Sequence, residues 1–293
     1  MKIYCEGKII PESECSISAS DHGFLYGISL FETFRTFNKK PFLLEAHLRR
    51  MQTSCKAFSI ALHDRLLSTD PKGGNLQKIL QQLLETNDLS DAVFRCTISS
   101  GQPSENPADP FYPNPREFIF VRPLPPPPPD AGIDLHILQT TRKPPEVFPR
   151  PKSGNFADNV LALQELQRRK PTPSAEGLLL TADGRLSECI HSNLFIIRDD
   201  ALFTPSPEAF LLEGITRKTV LDLAEKTAIS AQEKNLHIAD LKKADAVFTT
   251  NSVRGLTPVA RIFDEKGFLF WQNDSKKNPI FRRLTEAYFE LTV

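Results

Sequence analysis

"RPKSGNFADNVLALQEL", residues 150–166, seats one lysine between a proline and a Ser-Gly-Asn turn, just before an apolar-periodic run. Proline, serine, glycine and asparagine are turn formers, and the run behind them predicts a helix over residues 155–169. Lys152 is therefore held at a fixed point where a loop enters a helix. A lysine amine becomes a nucleophile when it is desolvated or coupled to an electrophile. A solvated loop lysine is the commoner use of the residue, so Lys152 needs partners before it implies chemistry.

Working outward, the segments after residue 132 alternate strand and helix patterns. "IDLHILQT" (133–140) reads as a strand, and "GLLLTADGRLSECIHSNLFIIRDDALFTP" (177–205) as a string of short strands turning at Ala-Asp-Gly and Asp-Asp. "ITRKTVLDLAEKTA" (215–228) predicts a helix opened by Gly214, and "ADAVFTTNSVRGLTPVARI" (244–262) reads strand, loop, strand. Before residue 122, "KIYCEGKII", "GISLFETFRTF", "AVFRCTISS" and "REFIFVRPL" are strand-like. "LLEAHLRRMQTSCKAF" and "LQKILQQLLET" are helical, the former with Leu44, Leu48, Met51, Cys55 and Phe58 on one face. Between the halves lies "RPLPPPPPDAG" (122–132), whose proline run suits an extended spacer. The expected organisation is α+β: residues 1–121 as a small domain, 122–132 as linker, and 133–293 as a larger domain. The Pro-rich loop 102–116 is a candidate border or lid of a cleft.

Lys+Arg and Asp+Glu are both 36 in 293 residues, so no overall charge steers the chain toward nucleic acid or an anionic membrane. No apolar run is long enough for a bilayer, and "MKIYCEGKII" reads as strand and turn rather than as a leader. Five scattered cysteines without a C-x-x-C pair suit free thiols in a cytoplasmic setting. The histidines are dispersed, so no metal site is expected, and neither a nucleophile elbow nor a dinucleotide fingerprint is present.

Four further places could carry chemistry. Glu188, between Leu186 and Ile190 on one strand face, needs a cationic partner if buried, either an arginine or a protonated ring nitrogen. Gly214-Ile215-Thr216 opens a helix, so its N–H groups and hydroxyl can bind a phosphate or simply cap the helix. Arg50 is a phosphate fork or an exposed helix arginine. "TTNSVRGLTPV" (249–259) is a turn or a binding loop.

Taken in order, these pieces resemble the class IV, or fold-type IV, pyridoxal-phosphate enzymes: branched-chain and D-amino-acid aminotransferases and aminodeoxychorismate lyases. The resemblance runs nearly end to end, through "SDHGFLYGISLFETFRTF", "PFLLEAHLRRM", "KSGNFADNVLA", "SECIHSNLF", "GITR" and "TNSVRGLTPV". It implies a two-domain fold with pyridoxal 5'-phosphate in the interdomain cleft, and a homodimer acting on a small molecule. It implies that Lys152 carries the cofactor and moves protons, and that Glu188 pairs with the pyridine nitrogen. It assigns Arg50, Gly214, Ile215, Thr216 and Ser252 to the phosphate cup, with Ser192, Asn193 and Asn251 also against the cofactor.

Within the family the lyases match best. Thr33 falls where they carry a proposed proton donor, and Asn251 matches a lyase asparagine. Where D-amino-acid enzymes carry an Arg-x-His trap, this chain reads "ISSGQPSENP", and Phe31 replaces their tyrosine. Some lyases have an arginine in that loop, so a dicarboxylate substrate needs another cation; Arg35, Arg95 and Arg254 are candidates, with Phe31 and Asn251 beside the substrate. Phe156 replaces a branched-chain-enzyme tyrosine. The expected reaction is pyruvate release from 4-amino-4-deoxychorismate to give 4-aminobenzoate for folate synthesis. Class IV transamination and a non-catalytic binding homologue are the alternatives.

Overall fold

The computed structural model describes residues 1–62, 75–105 and 111–292. The chain forms two compact units, Met1–Pro125 with Pro151–Asn155, and Pro126–Arg150 with Phe156–Val293. The first break falls inside the proline run, where missing N–H donors prevent further sheet pairing. Chain order alone gives residues 151–155 to the C-terminal part. They pack with the first unit because their backbone bonds to a strand there: Phe31 N donates to Lys152 O at 2.9 Å, and Gly154 N to Ser29 O at 2.7 Å.

The first unit is a six-stranded antiparallel sheet ordered β2-β1-β6-β5-β3-β4. Its strands are β1 Lys2–Cys5, β2 Lys8–Pro11, β3 Ser29–Phe37, β4 Lys40–Pro41, β5 Ala92–Ser99 and β6 Arg116–Pro123. The helices Leu44–Ala57 and Asn75–Thr86 bury their apolar stripes with it: Leu48, Met51, Leu80 and Leu83 share a core with Phe34 and Phe94. Residues 106–110 of the expected lid loop lie outside the described residues.

The second unit is a nine-stranded mixed sheet with the path β12-β11-β10-β13-β14-β7-β8-β9. These are β7 Ile133–Thr141, β8 Glu176–Leu180, β9 Leu186–Cys189, β10 Asn193–Arg198, β11 Ala201–Pro205, β12 Ala231–Lys234, β13 Ala246–Asn251 and β14 Gly255–Phe263; β15 Leu269–Gln272 adds to β14. Strand β9 also pairs with β10, at Glu188 opposite Asn193, so part of the sheet closes on itself. The Asp-Asp turn is a two-residue hairpin, with Asp199 and Asp200 at φ 49° and 55° between the paired Arg198 and Ala201. The expected helices form over Ala157–Arg168 and Ile215–Lys226. A further helix, absent from the expectations above, spans Pro279–Glu290. Its start is set by Asn278 Oδ1, which accepts from Ile280 and Phe281 N–H, with proline in the first turn.

Candidate active site

In the first unit, Lys152 is fixed through its backbone. Ser153 bridges Leu30, and a Cβ on Gly154 would stand 2.0 Å from Ser29 Oγ, so any larger residue there must turn the Ser29 hydroxyl away. Lys152 Nζ lies 4.7 Å from the centroid of the Phe31 ring. Arg95 Cζ lies 3.6 Å from the same centroid, a cation–π stack on an aromatic face. Thr33 is directly opposite Arg95 in the β3–β5 register. Lysine, arginine and threonine thus gather around one phenylalanine. Arg35 instead stacks 4.0 Å from Phe37 and donates to Thr36 O.

On the opposite face of β3 lies a buried ionic cluster. Arg50 donates from Nε and Nη2 to the two oxygens of Glu32, both at 2.7 Å, and His47 Nδ1 meets Glu32 Oε2 at 2.7 Å. Arg50 is therefore neither an exposed helix arginine nor an open fork, since one edge of its guanidinium is bound to Glu32. Burial pushes the Glu32 carboxyl up, but the Arg50 charge and the hydrogen bonds from Arg50 and His47 outweigh it and bring it down to about 2. Burial holds His47 below its ordinary value despite Glu32. Both shifts make the folded state bind fewer protons than the unfolded chain in acid. Stability is complete above the unfolded pKa values and falls as pH drops, first through that of His47 near 6.5, then from about 4.5 toward 2 for Glu32. Urea unfolding between pH 7 and 3 is expected to show this loss, reduced in Glu32→Gln/His47→Asn.

In the second unit, Glu188 is buried at the seam where β9 meets β10. Arg142 Nη2 lies 2.7 Å from Glu188 Oε1, and Asn193 Nδ2 donates to Oε2 at 3.5 Å. Arg142 is itself buried and braced by Asn159 Oδ1 at 3.0 Å, whose amide donates to Ile190 O at 2.6 Å. The Arg142 approach is an ion contact off the hydrogen-bonding line, so Oε1 accepts no hydrogen bond. One lone pair remains for a donor.

Nearby, Gly214 caps the helix Ile215–Lys226 without any side-chain cap, and no acid sits in its first turn. A Cβ on Gly214 would meet Asn193 Oδ1 at 2.0 Å, which ties this helix start to the residue opposite Glu188. Thr216 Oγ1 is buried without a partner, as is Thr250 Oγ1, and Thr250 pairs with Asn193 across β10–β13. Thr216 is therefore not spent on capping. An uncapped helix start plus an unpartnered buried hydroxyl is what an anion requires.

The model of the family described as "Amino-transferase class IV" matches residues 29–262. The chain belongs to this family. The aminodeoxychorismate lyase of Bacillus subtilis (strain 168) is 31% identical over 89% of this chain and 86% of that protein. A protein of Methanocaldococcus jannaschii assigned to the branched-chain-amino-acid aminotransferases is 30% identical over 99% of this chain and 96% of its own. The branched-chain amino acid aminotransferase from Escherichia coli is 25% identical with a TM-score of 0.82, covering 100% of this chain and 94% of that one. The two-unit α/β architecture is the fold-type IV fold.

In this class IV enzyme several expected site residues also support the fold. Ser192 gives its hydroxyl proton to Glu176 Oε2 at 2.5 Å, which makes it a support for the β9–β10 turn. Asn251 Oδ1 accepts from Val253 and Arg254 N–H at 3.0 and 2.8 Å, so its oxygen closes the turn that also carries Ser252. Ile215 opens its helix half-buried, and Arg254 is half-buried in the 251–254 turn. Arg142, Asn159, Glu32 and His47 went unassigned in the sequence. The readable signal for Glu32 was an acid inside an apolar strand, with His47 and Arg50 three apart on the following helix.

Proposed function

We propose that this class IV enzyme is a 4-amino-4-deoxychorismate lyase that uses pyridoxal 5'-phosphate to give 4-aminobenzoate and pyruvate. The observation that carries the reading is the cluster of Lys152, Thr33 and Arg95 around Phe31. It supplies a base, a hydroxyl and a fixed cation, as a dicarboxylate with a leaving enolpyruvyl group requires. The lyase relative supports the same choice.

The residues fit the cofactor. Glu188 Oε1, lacking a hydrogen bond, suits a ring N–H, and the start of helix Ile215–Lys226 with Thr216 Oγ1 suits a phosphate. Asn193 holds these together through Glu188 and Leu212 O. Arg50 would add charge to the phosphate, held in place by Glu32. When bound, the cofactor stores the negative charge released at the amine-bearing carbon. Lys152 carries it and takes the proton from that carbon. Thr33, or Lys152 in its protonated form, returns a proton to the departing group, and Arg95 orients a carboxylate.

Release of 4-aminobenzoate and pyruvate in equal amounts from freshly made substrate tests the reading. Absence of both from folded, cofactor-loaded protein would overturn it in favour of transamination, which the Methanocaldococcus relative supports. Thr33→Val is expected to slow lysis about 10–100-fold while sparing any side transamination; equal losses would remove its donor role. Thr216→Val is expected to weaken cofactor binding about 10–100-fold, the value of a hydrogen bond to a charged group. Because it removes a buried hydroxyl without a partner, the apo protein should melt no lower.

A homodimer is part of this proposal. Phe24, Leu25 and Tyr26, and separately Val160, Leu161 and Leu163, expose apolar side chains that a second copy would cover. The five cysteines form no disulfide, in keeping with a cytoplasmic enzyme.

A further inference from the structure

Cys5 and Cys15 stand together on the first unit, where β6 and β5 separate β1 from β3. Cys15 Sγ donates to Cys5 Sγ at 3.0 Å, and both residues are half-buried. Neither backbone is loose. Cys5 ends β1, paired with Lys8 across the hairpin and with Phe118 on β6. Cys15 closes a short 3-10 turn, its N–H donating to Glu12 O at 3.3 Å, while Glu12 N donates to Met1 O at 3.0 Å. The thiols are thus brought together by ordered chain on both sides. The other three cysteines, Cys55, Cys96 and Cys189, are buried to 6% exposure or less. Burial also pushes their thiols up, Cys55 to about 12. An oxidant in solution meets the Cys5–Cys15 pair first.

The geometry points to Cys5 and Cys15 as an oxidative modification site, which hydrogen peroxide closes to an intramolecular disulfide. The peroxide oxidises one thiol to a sulfenic acid as its O–O bond breaks and one water leaves. The second sulfur attacks that sulfur and expels the hydroxyl as a second water. The thiols lose two electrons and two protons in all, and the peroxide takes them up. Burial first, and then the neighbouring Cys5, push the Cys15 thiol up to about 12. Either sulfur can meet the peroxide, and the other, 3.0 Å away, resolves it. Beside the pair, Arg116 is bound to Glu6, and their opposite charges act on the Cys15 thiol in opposite directions. The site needs no cofactor and no part of the lyase reading.

The test uses the full chain, reduced, desalted and treated with a few equivalents of hydrogen peroxide. Thiols counted after denaturation are expected to fall by two of the five. A peptide map should join the Cys5 and Cys15 peptides, reversibly with dithiothreitol. Cys5→Ser and Cys15→Ser should each abolish this paired loss, and the thiol that remains should leave a sulfenic acid that a dimedone probe traps. An undiminished thiol count would overturn the proposal, as would a Cys5 or Cys15 link between two chains on a non-reducing gel. The cross-linked protein should also melt higher by roughly 5 °C, because the bridge closes a short loop without rearrangement. A lower melting temperature would overturn the claim that the native positions accept it.

Discussion

Lys152→Ala is expected to abolish lysis, lowering kcat on the order of 10³-fold or more, because one side chain both carries the cofactor and moves the proton. The fold should survive. The backbone of residues 152–154, not the lysine side chain, bonds to β3 and fixes the segment. Steady-state release of 4-aminobenzoate, with circular dichroism and melting as fold controls, is the measurement. Activity within tenfold of wild type in a folded variant would remove Lys152 from the chemistry. It would also leave the Phe31 cluster as a substrate-binding feature only. A variant that loses the fold would contradict the backbone anchoring described above.

Arg142→Met is expected to cost about 3–5 kcal/mol of stability, since it leaves the buried Glu188 carboxylate without its cation. A surface ion pair would cost under about 1 kcal/mol. The double variant Arg142→Met/Glu188→Gln removes both charges and should recover most of the loss. Urea unfolding of the four proteins gives the coupling directly. Additive losses in the double variant would show that the two groups do not depend on each other. Loss of cofactor affinity in Glu188→Gln, with stability near wild type, would separate the binding role of Glu188 from its structural pairing. The sequence offered an arginine and a ring nitrogen as rival partners for Glu188. The structure supplies the arginine and still leaves Oε1 open to the ring.

Much of the candidate site was legible because its signals are local. Lys152 stands out through Pro151 and the Ser-Gly-Asn turn, and Gly214-Ile215-Thr216 through the helix that follows. Turn chemistry and helix starts depend on neighbours in sequence, so they can be read there. Long-range partners cannot. Arg142 lies in a Pro-rich stretch with no pattern of its own, and its role arises only when β9 brings Glu188 beside it. Arg50 reads as a phosphate fork or an exposed helix arginine, and its pairing with Glu32 emerges only when β3 presents that carboxylate to it. Ser192 gives its hydroxyl proton to Glu176 and the Asn251 oxygen closes a turn, and neither contact has a signature in the sequence.

The sequence by itself determined most elements of both units, though not the helix Pro279–Glu290, together with the family and the local seat of Lys152, because periodicity, turns and ordered motifs are properties of contiguous residues. Only the tertiary structure decided which unit holds Lys152. It also decided which of three arginines shares the Phe31 ring with that lysine, and which buried oxygens remain unpaired. Those outcomes depend on strand register and burial, where a single residue's shift reverses the face a side chain occupies. Such long-range pairing carries no local signature.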